Sequence, residues 1–114
     1  MDSSPCLKLV FLLPEIANDI IEKLEKEERS DLLEQVQELS IISLCECGDP
    51  SCGSFYTIEP SVTENEQLSY EGFQTKSGLI EVFNGEIGFI EIVPSEIGKE
   101  VRKKISEALI REEL

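Results

Sequence analysis

The run SGLIEVFNGEIGFIEIV, Ser77 to Val93, constrains the fold more than any other stretch of the chain. Asn84-Gly85 supplies the positive φ angles of a two-residue type I′ turn, whose twist matches that of the strands it joins. So short a turn fixes register. Phe83 is predicted opposite Glu86, Val82 opposite Ile87 and Ile80 opposite Phe89. One face then reads Ile80, Val82, Ile87 and Phe89, while the other carries Leu79, Ile90 and Ile92 interrupted by Glu81 and Glu86.

An apolar sheet face needs a cover, and the flanking segments supply it. Pro94-Ser95 ends the last strand and caps a helix in which Ile97, Val101, Ile105, Ala108 and Leu109 recur at helical spacing, so a C-terminal helix is expected across the sheet. Upstream, Pro14 suits a first helical turn, and Ile16, Ile20, Ile21 and Leu24 line one face behind it. Glu22 with Lys26 and Glu25 with Arg29 are favourable pairs one turn apart. Ser30 reads as a new N-cap before Asp31, with Leu32, Leu33, Val36 and Leu39 as the next stripe. Residues 14–39 thus form two short helices or one kinked helix.

Leu7, Leu9 and Phe11 alternate with their neighbours and read as a buried strand or extended lead-in. From residue 40 the period changes to that of strands. Ile42 and Leu44 lead to a Gly48-Asp49-Pro50-Ser51 turn, and Phe55 to Ile58 return, which makes a hairpin. Residues 59–67 read as an exposed loop and Leu68 to Thr75 as a third strand. The expected class is α+β in one domain, residues 1–114: two N-terminal helices, an antiparallel sheet of three to five strands with a hairpin at Asn84-Gly85, and a C-terminal helix packed on the sheet.

Charge narrows the partners. The chain holds 24 acidic and 10 basic residues, a formal net charge of −14. All of it lies upstream of the last segment, because residues 95–114 carry 5 acids and 5 bases. Such a chain repels polyanions at long range, which disfavours nucleic acid and anionic membrane and favours a basic protein partner. Lys99, Arg102, Lys103 and Lys104 read as a solvated helix face. The N-terminal stretch MDSSPCLKLVFLLPEI has no basic region, no long apolar core and no small-residue cleavage site, so a cytoplasmic location with reduced thiols is expected.

The chain has no histidine and no glycine-rich phosphate cradle. Ser-His and Cys-His dyads, imidazole-ligated catalytic zinc and the common nucleotide sites are thereby removed, and a protein that is not an enzyme is expected. What remains is LCECGDPSCGSFY, Leu44 to Tyr56, with the spacing C-x-C-x4-C. Cys45 and Cys47 stand two apart in a strand and share a face, and the turn returns Cys52 toward them. Three readings follow. The thiols hold zinc, with Cys6 or Asp49 as the fourth ligand. They are a redox pair, against which Glu46 and Asp49 count because acids raise a thiol's pKa. Or they pack as small apolar residues beneath the turn.

CECGDPSCGSFY followed by EVFNGEIGFIEI resembles a group of small bacterial proteins that carry a CxCG…C…F segment. The likeness covers residues 40–93, implies bacterial origin and brings no activity with it. The functional expectation is a non-enzymatic acidic module that binds a basic protein, as an inhibitor or immunity protein against a nuclease does. The alternative is a zinc or thiol site at Cys45, Cys47 and Cys52, with a homodimer sharing ligands between two loops as a further arrangement.

Overall fold

The computed structural model describes residues 7–64 and 68–113. Along the chain come α1 (Leu9–Leu12), α2 (Pro14–Lys26), α3 (Ser30–Val36), β1 (Ser43–Leu44), β2 (Phe55–Tyr56), a 3-10 turn (Pro60–Glu64), β3 (Tyr70–Gln74), β4 (Gly78–Phe83), β5 (Glu86–Ile92) and α4 (Ser95–Glu113). The strands form one antiparallel sheet in the order β1-β2-β5-β4-β3. This is the expected α+β class, with two hairpins joined through the β2-β5 pairing.

Asn84 and Gly85 have φ of 56° and 81°, as a type I′ turn requires. Phe83 pairs with Glu86 and Val82 with Ile87, as predicted. The register then shifts: Glu81 pairs with Phe89 and Ile80 with Ile90. Gly88 is the extra residue of a β-bulge, and beyond it every side chain of β5 changes face. Ile80, Val82, Ile87, Ile90 and Ile92 are the buried set, whereas Phe89 turns to the opposite face with Glu81 and Glu91. The uninterrupted register expected from the turn is therefore corrected. Crowding explains the glycine, since a Cβ on Gly88 would sit 2.7 Å from both Ile58 Cδ1 and Phe83 Cδ2. Thr57 fastens the bulge: its N–H donates to the Gly88 carbonyl at 2.9 Å and its Oγ1 to the Ile87 carbonyl at 2.7 Å.

The helices bury their stripes against the Ile80 face. Ile16, Ala17, Ile20 and Leu24 of α2, Leu32 and Val36 of α3, and Val101 and Ile105 of α4 join these strands and Phe55 in one core cluster. Gln35 of α3 straddles the turn, donating to the Gly85 carbonyl at 2.7 Å and accepting from the Ile87 N–H at 2.9 Å. No helix among the described residues is long and apolar enough to cross a membrane.

Three local expectations change. The segment expected as a strand forms the single-turn α1, entered through an isolated bridge between Lys8 and Ser40. Leu9 and Leu13 are the buried pair there and Phe11 is 68% exposed, which is helical spacing rather than alternation. Ser30 is the first residue of α3, and its cap, Arg29, makes no side-chain capping bond. Arg29 instead pairs with Asp31 and with Glu71 of β3, and lies 5.6 Å over the Phe73 ring, while Glu22 pairs with Lys76 at 3.1 Å. Arg29 and Glu22 thus pair with Asp31, Glu71 and Lys76 in place of the two predicted pairs.

The bulged register sets an order of mutational costs. Ile90→Ala should destabilise by about 2–5 kcal/mol and Phe89→Leu by less than about 1.5 kcal/mol in urea unfolding. The reverse order would place Phe89 in the core.

Candidate metal centre

The cysteine loop is the connection between β1 and β2. Ser43 pairs with Tyr56 and Leu44 with Phe55, and the Cys45 N–H donates to the Ser54 carbonyl at 2.9 Å, which extends the ladder to the first thiol. The chain then turns at Gly48, φ 86°. Asp49 Oδ1 accepts from both the N–H and the Oγ of Ser51, each at 2.9 Å, and the Cys52 N–H donates to the Asp49 carbonyl at 3.0 Å. An aspartate closing on the residue two ahead shapes a turn from within.

From behind, α4 supports this loop through two glycines. A Cβ on Gly53 would lie 2.6 Å from the Gly98 carbonyl oxygen, and one on Gly98 would lie 2.1 Å from that of Ser51. Loop and helix backbones therefore touch, which side chains there would prevent. Arg102, one turn further along α4, donates from Nη1 to the Cys52 carbonyl at 3.2 Å.

The result gathers Cys45, Cys47 and Cys52, with all three Sγ atoms within 4.8 Å of one another. Tetrahedral thiolates at about 2.3 Å from zinc stand about 3.8 Å apart, so a contraction on the order of 1 Å closes the set on a metal. Cys45 and Cys52 are half-buried and Cys47 is exposed, which departs from the reading of thiols packed as core. Burial pushes the Cys45 thiol up to about 11, whereas the Asp49 N–H and the Cys52 thiol hold Cys47 below the ordinary range. The expectation that Glu46 and Asp49 raise the loop's thiols is corrected for Cys47: the backbone N–H of Asp49 outweighs its carboxylate charge.

The predicted fourth ligands fare differently. Cys6 lies outside the described residues. Its neighbour Leu7 accepts from the Ile41 N–H at 2.8 Å, four residues before Cys45. Asp49 spends an oxygen on Ser51, and its carboxylate is not among the ligand atoms gathered with the three sulfurs. Glu46 lines a separate hollow with Ser43, Leu44, Tyr56 and Pro60. Sequence reasoning does not find Gly53 or Gly98, for which the available signal was a glycine inside the apolar periodicity of the last helix, and it reads Arg102 as part of a solvated face, which its part-buried bond to Cys52 corrects.

A second surface lies on the outer face of the sheet, where the register places Tyr56, Phe89, Glu91, Glu81, Tyr70 and Phe83 together. The Tyr56 and Phe89 rings lie 4.6 Å apart and those of Tyr70 and Phe83 5.5 Å apart. The Tyr70 ring crosses Gly72, whose absent side chain leaves room for it, and burial together with the charge of Glu81 pushes its hydroxyl up. Burial pushes the Glu81 carboxyl up; the Tyr70 hydroxyl offsets part of this, and the charge of Glu91 adds to it.

No protein-family model, curated protein or solved structure matches the chain. Function is therefore read from these two surfaces.

Glu81 gives a pH test. A carboxyl whose folded-state pKa is raised binds more protons folded than unfolded, so its stabilising contribution is full below the unfolded pKa and is lost as pH rises through the folded one. Glu81→Gln should raise the Tm at neutral pH, with the gain shrinking to nothing below the ordinary carboxylate range. Thermal melts across pH check this, and a gain that persists in acid contradicts it.

Proposed function

We propose that Cys45, Cys47 and Cys52 hold a thiophilic divalent metal, zinc foremost, and that the protein acts by binding rather than catalysis. The observation that carries this is the convergence of three sulfurs on a loop already shaped by its own hydrogen bonds and by α4. The thiol set suits zinc, because soft sulfur ligands select it over magnesium or calcium. The Asp49 N–H, which helps hold the Cys47 thiol below its ordinary range, favours the thiolate that a metal requires. A bound ion would replace thiol protons with metal–sulfur bonds and tie β1 to the far side of the turn, so binding energy becomes folding energy. The setting we propose is the bacterial cytoplasm, where thiols stay reduced.

Protein purified under reducing conditions and supplied with zinc should carry about one metal per chain, the load that a three-thiolate site takes. Cys47→Ser should weaken zinc by at least about 10–100-fold, the loss that even a supporting hydrogen bond costs such sites. Elemental analysis and competition with a chromophoric chelator measure these. An empty protein with freely titrating thiols would remove the reading.

A second reading concerns the outer sheet face, and one observation favours it: Glu81 and Glu91 stand among aromatic rings and form no ion pair among the described residues. We infer that this face receives a basic protein, as an inhibitor or immunity protein would, with charge guiding encounter and the rings supplying contact area and cation–π attraction. A lysine- and arginine-rich peptide titrated into labelled protein should shift the resonances of Tyr56, Glu81, Phe89 and Glu91, and should bind more weakly as salt rises. Shifts spread evenly over all the acids, or affinity indifferent to salt, would count against it.

A further inference from the structure

We infer that the metal centre is left open on its solvent side, and that its fourth position takes an imidazole nitrogen brought by a histidine of a partner protein. This rests on the metal reading above and says who completes the site. Among the described residues three donors gather and no fourth cysteine, aspartate or glutamate atom joins them, and the sequence contains no histidine. Of the two acids in the loop, Asp49 spends an oxygen on Ser51 and Glu46 lines the separate hollow beside Tyr56. The open side is identifiable. Cys47 is exposed, and a Cβ placed on Gly48 would meet nothing within 4 Å, so a donor from outside has a path past the turn. The opposite side is closed by α4 through Gly53, Gly98 and Arg102.

Charge selects the kind of donor. Three thiolates on a divalent ion leave the centre with one net negative charge, and Glu46 and Asp49 flank it against the single guanidinium of Arg102. A fourth thiolate or a carboxylate would add a second negative charge to a protein already at −14. Neutral imidazole adds none, is a borderline-soft ligand suited to zinc, and completes a Cys3His set, one of the closed sets that zinc holds stably. A histidine-bearing partner that is also basic would be drawn in by the same field.

The test uses the full chain loaded with cobalt(II), whose visible bands report ligand type and geometry, titrated separately with imidazole, acetate and 2-mercaptoethanol. The expected result is a saturable band shift with imidazole at concentrations where acetate does nothing and the thiol acts more weakly, and the same response in Cys6→Ser. Three outcomes overturn the inference while leaving the metal site in place: no response to imidazole, tighter binding of the thiol, or an imidazole response that emerges only in Cys6→Ser, which would mean that Cys6 closes the site itself. Failure of cobalt(II) to give any thiolate band would instead overturn the metal reading beneath it.

Discussion

The fold depends on one extra residue in β5. In Ile87-Gly88-Phe89-Ile90-Glu91-Ile92 no strict alternation puts the three isoleucines on one face. The register expected from the turn alone would send Phe89 and Glu91 inward and Ile90 and Ile92 outward. A carboxylate driven under the helices costs several kcal/mol or must be neutralised, and each aliphatic side chain moved to solvent forfeits about 1.5–3 kcal/mol. Inserting Gly88 as a bulge removes both losses for one unpaired residue, whose own carbonyl and that of Ile87 are then satisfied by Thr57. Turn, bulge and core face are thus one decision. The acid it turns outward, Glu91, joins Glu81 of β4 as the charge of the open sheet face.

The same strand sets up the cysteine loop. Because β5 is central it pairs with β2 on one side and β4 on the other, and the Ile92 N–H donates to Ser54 Oγ at 2.9 Å, anchoring the end of the loop to the sheet. From there the chain enters α4, which crosses back over the loop. Close packing of the two backbones needs both Gly53 and Gly98. Neither glycine has a left-handed φ, so the requirement is space rather than conformation. Helix, strand end and Asx turn approach the thiols from three directions, the kind of support that keeps ligands near their bound geometry before a metal arrives.

Much of this was legible in the sequence, and the misses have physical reasons. Asn84-Gly85 is a local signal with a local cause, and so the turn and the first two residue pairs beyond it follow from it; the bulge answers to Ile58, Phe83 and Thr57, which no short window contains. The stripes of α2 and α4 survive because burial reads the same periodicity that the sequence displays. Leu7 to Leu13 has almost no polar residue to mark a period, so alternation there carries little information, and Pro14 with Leu39 and Ile41 decides the outcome. The close C-x-C-x4-C spacing around one turn makes the thiol cluster predictable, but strand parity does not: β1 ends at Leu44, so Cys45 and Cys47 lie in the loop, where they meet Cys52. The polarity of Cys47 is not, because it turns on whether Asp49 presents its carboxylate or its N–H, a choice made by Ser51.

Charge joins the two surfaces without merging them. A field set by an excess of 14 acids attracts cations of every kind, and its carboxylates would hold most of them weakly because they are hydrated and mobile. Selection has to come from chemistry the surface at large does not share. On the sheet face that is the pairing of carboxylates with aromatic rings, which favours a delocalised or amphipathic cation over a small hydrated one. In the loop, on the metal reading proposed above, it is sulfur, which would favour a soft ion over a hard one and exchange thiol protons for it. If both proposed sites bind as inferred, the long-range attraction is common to them, and discrimination would reside in a handful of side chains that the Gly88 bulge and the Gly53-Gly98 contact hold in place.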